Sequence, residues 1–298
     1  MKQSTYIMSI DVGMKNLAIC VLELSGTTIT LHDWDVLDLV PSISCEQCKR
    51  PAQFHKKGHY VCRTHAKTTL IENRMYTLPT KQMDIEMFSK KSKASLHELI
   101  QTTYPPTLFD KITLDDMKKY KKQELIDYLK TRVPPMYERV SAIKTSQVSF
   151  VDYGNAIVQQ IDPILSKYSI DAVLIENQIS PLANRMKTLQ GMLTQYFVMR
   201  EISTIEYISS ANKLKVREWT QQTHTIPVKT GKQDYSNRKK AGIQLTQHLM
   251  RTPVLFIKTQ TIQLNVDRGT HFSTHKKQDD LADAFLQGIW WFVSHWNM

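Results

Sequence analysis

An α/β protein with a mixed β-sheet, interrupted by one long insertion, is the architecture this sequence predicts, and three observations carry it. The first forty residues hold three runs rich in Ile, Val, Leu and Thr, at 6–11, 16–24 and 28–37, with Gly-containing turns between them. Such runs read as an antiparallel meander. From residue 150 onward, helical and strand patterns alternate, as they do where helices pack on a sheet. Between these regions, residues 41 to about 145 carry cysteines, histidines, lysine clusters and two Pro-Pro pairs, without a comparable strand pattern.

The elements follow in order. YIMSID, NLAICVLEL and TITLHDWDVL are the first three strands. After the insertion, Gly154, Ile157, Val158, Ile161, Leu165 and Tyr168 recur at helical spacing from Phe150 onward, which predicts an amphipathic helix. AVLIE at 172–176 is a short buried strand. A helix over about 182–200, a strand over 204–209, a basic helix over about 235–250 and a last helix over about 279–296 complete the chain. The expected sheet therefore has five strands, flanked by helices. Residues 1–40 and 146–298 form one core, 41–75 a Cys/His-rich insert and 76–145 a helical insert.

Composition narrows the function. With 298 residues, 41% hydrophobic and 22% charged, the chain can bury a sizeable core and is not disordered. No run approaches the roughly 18 to 20 apolar residues that cross a bilayer, and the N-terminus lacks the pattern of a secretion signal. A soluble, intracellular protein with no membrane partner is expected. The 39 Lys and Arg against 28 Asp and Glu give a net charge of +11 and a pI near 9.3, which favours a polyanionic partner such as nucleic acid.

The acidic residues are the candidates for chemistry. Asp11 ends the first strand and Glu176 ends AVLIE. If those strands are adjacent and parallel, both carboxylates emerge at one sheet edge, where like charges repel unless a cation is shared. The last helix carries Asp279, Asp280 and Asp283 near its start, beside an apolar stripe through Leu281, Phe285, Ile289, Phe292 and Trp296. Acids in a first turn also complement the helix dipole, and spacing alone does not choose between Asp280/Asp283 and Asp279/Asp283. Three or four carboxylates without thiolate or imidazole suit Mg²⁺ or Mn²⁺. Two such ions about 4 Å apart can activate a water and stabilise the leaving oxygen of a phosphodiester. With the basic charge, this pattern reads as a nuclease.

SIDVGMKNLAIC, VLIENQISPLANRMKTLQGML and DDLADAFL, in this order, resemble the RuvC-type Holliday junction resolvases of the RNase H-like superfamily, above all their poxvirus, large DNA virus and fungal mitochondrial branches. The resemblance covers about residues 5–40 and 146–298. It implies an RNase H-like mixed five-stranded sheet, with Asp11, Glu176, Asp280 and Asp283 as the catalytic acids holding two Mg²⁺ or Mn²⁺ ions per active site. It also implies a homodimer that resolves four-way (Holliday) DNA junctions by paired symmetric nicks. Gly13 would then let the chain turn tightly beside the metal, and the Asn16 amide would fix that turn. Lys15, Gln178, Arg185, Lys187, Lys232, Arg238, Lys239 and Lys240 are the candidates for contact with DNA. A viral source implies the host cytoplasm or a viral replication site.

Within the insertion, Cys45-x2-Cys48 and Cys62-x2-His65 form a Cys3His set whose paired spacings suit tetrahedral Zn²⁺. Four filled ligands make a closed, structural site. Residues 113–131 begin with a Thr113/Asp116 capping box and place Leu114, Met117, Leu125, Ile126 and Leu129 at inward helical positions. They resemble a SAP-type DNA-binding hairpin, and a plain helical hairpin fits equally. Two alternatives to a junction resolvase stand: another RNase H-like nuclease, RNA-guided, transposon-associated or hybrid-cleaving, and a non-catalytic zinc/SAP nucleic-acid-binding protein.

Overall fold

The computed structural model describes residues 4–48, 50–72, 74–79, 88–103, 119–132, 136–141, 143–178, 184–220 and 232–295. The chain divides into two compact units, Met1–Pro41 with Lys144–Met298, and Ser42–Ile143.

In chain order, the first unit opens with β1 (Ser4–Asp11), β2 (Asn16–Ser25) and β3 (Thr28–Asp38). The second unit holds β4 (Phe54–Lys56), β5 (His59–Val61), β6 (Leu70–Ile71), β7 (Arg74–Met75), α1 (Lys93–Thr103), α2 (Lys122–Arg132) and β8 (Glu138–Arg139). The first unit resumes with α3 (Phe150–Leu165), β9 (Ala172–Glu176), α4 (Asn184–Val198), β10 (Thr204–Ile208) and a 3-10 segment (Ser210–Trp219). It ends with α5 (Lys232–Arg251), β11 (Val254–Ile257), β12 (Gln260–Asn265), α6 (Gly269–Thr274) and α7 (Gln278–His295).

The large sheet has the order β10-β9-β1-β2-β3-β12-β11. β1, β2 and β3 pair antiparallel as the meander predicts, while β9 pairs parallel with both β1 and β10. The five expected strands thus stand side by side, in the order β10-β9-β1-β2-β3. The count of five falls short by a hairpin, β11 and β12, whose second strand joins β3 in parallel through Gln263–Asn265 and Thr28–Thr30. Its turn contains no glycine or proline: Lys258 takes the left-handed conformation there (φ 52°), so the usual hairpin signal is missing.

Both faces of the sheet are covered, which is why β1, β2 and β9 are nearly continuous in apolar residues. The strand period of two sorts them. Ile7, Ala18, Cys20, Leu22, Ala172 and Leu174 face one core with α7. Met8, Ile10, Leu17, Ile19, Val21, Val173 and Ile175 face the other, with α3 and α4. Helix α3 starts on a capping box, Ser149 accepting from the Asp152 N–H. Helix α7 is anchored by Trp34, whose Nε1 donates to the Leu281 carbonyl at 2.9 Å while its ring stacks on Phe272 at 5.0 Å.

In the second unit, β5, β4 and β8 form a small sheet over a core that contains Cys45, Phe54, Val61, Cys62, Ile71, Tyr76 and Tyr137. Residues from both sides of the expected 75/76 border share that core. Of the SAP-like pattern, α2 is described, with Leu125 and Ile126 buried; Thr113, Leu114, Asp116 and Met117 lie outside the described residues.

Candidate active site

The sheet edge formed by the carboxyl ends of β1 and β9 opens into a cleft of about 370 Å³. Ile10 pairs with Ile175, so the next residue of each strand, Asp11 and Glu176, leaves the sheet at the same edge. By strand alternation both continue the rows that face α7. Across the cleft, α7 contributes Asp280 and Asp283 to the lining. Four acids separated by up to 272 positions in the sequence therefore meet. Gly13 also lines the cleft. A Cβ there would stand 2.5 Å from the Asn16 carbonyl oxygen, so the tight turn needs glycine, and the crowding atom belongs to the Asn16 backbone rather than to its side-chain amide.

At the centre lies a residue that sequence reasoning missed. Lys213, from the 3-10 segment after β10, places Nζ 3.1 Å from Asp11 Oδ1, 3.0 Å from Glu176 Oε1 and 3.1 Å from Asp283 Oδ2, with its side chain only 4% exposed. Burial works against the ammonium charge, but Asp11, Asp283 and Glu176 more than offset it and hold the lysine above its usual range. A signal did exist, since Lys213 follows the strand beside β9 at the same sheet edge. It was masked by Lys215 and Arg217, which make the segment read as a solvated basic stretch.

One ammonium does not neutralise the cluster. Burial, then the neighbouring Asp11, pushes Glu176 up to about 8 against the pull of Lys213. Burial likewise pushes Asp283 up to about 6. Asp280 is raised by burial and by Asp279, and its closest described partner is Lys277 at 3.5 Å. Three carboxylate oxygens aimed at one cation, with negative charge left over, form a donor set that fits a divalent hard ion. Geometry also separates the acids of the helix. Asp279 is paired with Lys239 at 2.5 Å, and that contact, against the effect of burial, keeps its carboxyl below the usual range; it does not line the cleft.

The expected DNA contacts separate. Arg238 and Lys239 line the cleft. Lys15, Lys187 and Lys240 are exposed and are not among its lining residues. Gln178 lies next to the site, its Nε2 3.4 Å from Glu176 Oε2 and its backbone N–H donating to Gln190. Arg185 is turned to a structural use: its guanidinium donates to the Thr145 and Val148 carbonyls and sits over the Phe150 ring at 4.6 Å. The start of α5 includes Lys232, whose side chain lies outside the described residues.

In the second unit, Cys45, Cys48, Cys62 and His65 each bring one ligand atom within 4.8 Å of the others. Cys45 Sγ is 3.3 Å from His65 Nδ1, and Cys48 Sγ is 3.8 Å from Cys62 Sγ. Although burial opposes it, hydrogen bonds led by His65 lower the Cys45 thiol to about 6, and the His65 and Thr64 backbone amides lower Cys62. Both shifts favour the thiolate, the form that ligates metal. Cys20, buried in the large core, is pushed upward instead, as an inert core thiol is.

A sheet of this order, with acids from two adjacent strand ends and one helix gathered around a buried lysine, forms a single acidic cleft at one sheet edge. The chain belongs to the family described as mitochondrial resolvase Ydc2 / RNA splicing MRS1, which matches residues 7–196. That span contains Asp11 and Glu176 and ends before Lys213, Asp280 and Asp283, which the three-dimensional arrangement brings in. A relative from Acanthamoeba polyphaga mimivirus, described as uncharacterized protein L451, is 27% identical over 328 aligned positions, covering 95% of this chain and 73% of the relative. The crystal structure of the yeast mitochondrial Holliday junction resolvase Ydc2 aligns over 97% of this chain and 79% of its own, with 12% identity and a TM-score of 0.37. Among the described residues no helix is long and apolar enough to cross a membrane.

Proposed function

We propose that the chain is a divalent-metal-dependent, structure-selective endonuclease that resolves four-way DNA junctions by paired symmetric nicks. The observation that carries this reading is the convergence of Asp11, Glu176 and Asp283 on one buried cation, in a chain of a resolvase family. The family description also names RNA splicing, so membership alone leaves room for a protein that binds nucleic acid without cutting it. A binding role has no need of a desolvated cluster of like charges, which is costly to fold.

Mg²⁺ or Mn²⁺ ions, two per site, held by Asp11, Glu176, Asp280 and Asp283, would supply Lewis acidity at the phosphodiester. The chain's own groups do the rest. Lys213 Nζ holds three of the acids together before the site is loaded. Glu176, protonated near neutral pH, gives up its proton on loading, so cation affinity rises with pH. Arg238 and Lys239 at the cleft wall face the phosphate backbone.

Two further parts of the reading rest on separate observations. Val151 and Met199 are 73% and 67% exposed beside an apolar groove between α3 and α4, a surface suited to a second copy of the chain, which paired nicking requires. The Cys3His cluster would hold structural Zn²⁺, with Cys45, Cys48, Cys62 and His65 as ligands. The deciding experiment is cleavage of a mobile four-way junction with Mg²⁺ or Mn²⁺, beside linear duplex and RNA–DNA hybrid, for the wild type, Asp11→Asn and Glu176→Gln. Symmetric nicks on the junction alone, lost in both variants, are expected. Cleavage of duplex or hybrid would move the protein to another nuclease class, and tight binding without cleavage would make it a binding protein.

A further inference from the structure

Helix α7 carries two of the four acids, yet the site works only if that helix is held in register with the two strands that carry the others. One side chain spans all three elements. Gln287 lies one helical turn after Asp283 and is fully buried. Its Nε2 stands 3.1 Å from Ser9 Oγ, 3.2 Å from the Ile10 carbonyl oxygen and 3.2 Å from the Leu174 carbonyl oxygen. Ile10 immediately precedes Asp11, and Leu174 lies two residues before Glu176 on the same face of β9.

The amide's orientation follows from chemistry, since two carbonyl oxygens require the NH₂ group and would repel Oε1. The consequence is visible on the other side: Oε1 is buried and has no hydrogen-bond partner among the described residues. A residue present only to fill the core would not bring an unsatisfied carbonyl with it, because Met or Leu fills similar space without a polar atom. The neighbouring residue belongs to the same device. A Cβ on Gly288 would lie 2.6 Å from Leu22 Cδ1 and 3.3 Å from Ser9 Cβ, so glycine brings α7 close enough for the amide to reach main-chain carbonyls.

We infer that Gln287 is the positioning residue of the acid cluster, fixing Asp283 against Asp11 and Glu176 by tying α7 to the ends of β1 and β9. This rests on the reading of the cluster as a cation site. Outer-shell groups that orient ligands typically change metal affinity by 10- to 100-fold when removed.

The test is Mn²⁺ titration of the full-length protein without DNA, followed by calorimetry or electron paramagnetic resonance, for the wild type, Asp11→Asn, Gln287→Met and Ser9→Ala. Thermal melting and junction cleavage are measured on the same samples. Gln287→Met is expected to bind Mn²⁺ at least 10-fold more weakly and to lower kcat by a similar factor, with the metal-free melting temperature and the junction Kd close to wild type. Ser9→Ala, which removes one acceptor and keeps the main-chain bonds, is expected to weaken Mn²⁺ binding only two- to fivefold. Mn²⁺ affinity and kcat of Gln287→Met within twofold of wild type would overturn the inference while leaving the nuclease reading intact. Wild-type protein that binds no Mn²⁺ in a manner sensitive to Asp11→Asn would overturn the cation-site reading and the inference with it. Should Gln287→Met fail to fold, the side-chain amide of Gln287 in wild-type protein is followed by ¹⁵N NMR: a shift on adding Mg²⁺ supports the link, and an unmoved signal refutes it.

Discussion

The two units of this chain handle charge in opposite ways. Residues 1–41 with 144–298 carry 20 Lys and Arg against 17 Asp and Glu, a net of +3, and gather four of those acids around one cleft. Residues 42–143 carry 19 against 11, a net of +8 in about a third of the length. The first unit concentrates negative charge at one sheet edge, around Lys213. The second has a small core that contains Cys45 and Cys62 of its Cys3His cluster, and it carries most of the surplus positive charge. The difference suggests a division of labour, with cleavage in the first unit and much of the electrostatic hold on DNA in the second.

The strongest way to break that division is to remove one acid. Asp11→Asn, Glu176→Gln and Asp283→Asn are each expected to lower junction cleavage by roughly 10³-fold or more, while junction affinity measured by gel shift stays within a few fold of wild type. If affinity falls along with cleavage, the cluster serves binding, and the division fails at its centre.

Next in size is loss of the cysteine cluster. Cys45→Ser or Cys62→Ser should remove one equivalent of zinc by elemental analysis and abolish a separate low-temperature unfolding transition of the second unit. Mn²⁺ binding at the acid cluster should persist. Zinc-free wild-type protein, as purified from zinc-replete cells, would refute the ligand set.

How much of the molecule is legible in its sequence follows from what each pattern encodes. The strands β1, β2, β3, β9 and β10 can be read because each is a short run of aliphatic and β-branched residues, and the helices α3 and α7 because their apolar residues recur at helical spacing. Asp11 and Glu176 can be read because each closes such a strand. Lys213 cannot, because its role depends on burial among acids up to 202 positions away, and a lysine beside other basic residues looks solvated. Arg185 shows the converse: it is a cation in a polar stretch, and its carbonyl partners at 145 and 148 carry no signal in the sequence. Hairpin β11–β12 escapes because its turn uses Lys258 in a conformation usually marked by glycine.

A smaller effect tests the charge partition itself. Replacing Lys90, Lys91, Lys121 and Lys130 of the second unit by Gln should weaken junction binding about 10-fold at moderate salt. It should also flatten the dependence of log K on log salt by close to one unit for each phosphate that is no longer neutralised. These four lysines are wholly or partly exposed, so folding should be unaffected. The matching set in the first unit, Lys15, Lys187 and Lys240, should change the slope less. Equal slopes from both sets would mean that the surplus charge of the second unit is not what holds DNA.

The smallest expected effect concerns stability and comes from the acid cluster alone. In the folded protein Glu176 and Asp283 hold protons to higher pH than they would in an unfolded chain, at about 8 and 6. The folded state therefore binds more protons than the unfolded state from the ordinary carboxylate range up to about pH 8. By linkage, stability in EDTA should fall as pH rises across that window. Glu176→Gln removes one crowded charge, so it should raise the metal-free melting temperature by a few degrees at pH 8 and flatten the pH dependence, although it abolishes cleavage. Mg²⁺ should raise the wild-type melting temperature more at pH 8 than at pH 6, because more of the carboxylates are ionised at the higher pH. A melting temperature in EDTA that climbs from pH 6 to pH 8 would mean that Lys213 already neutralises the cluster, and that the cleft has no charge left over for a divalent ion.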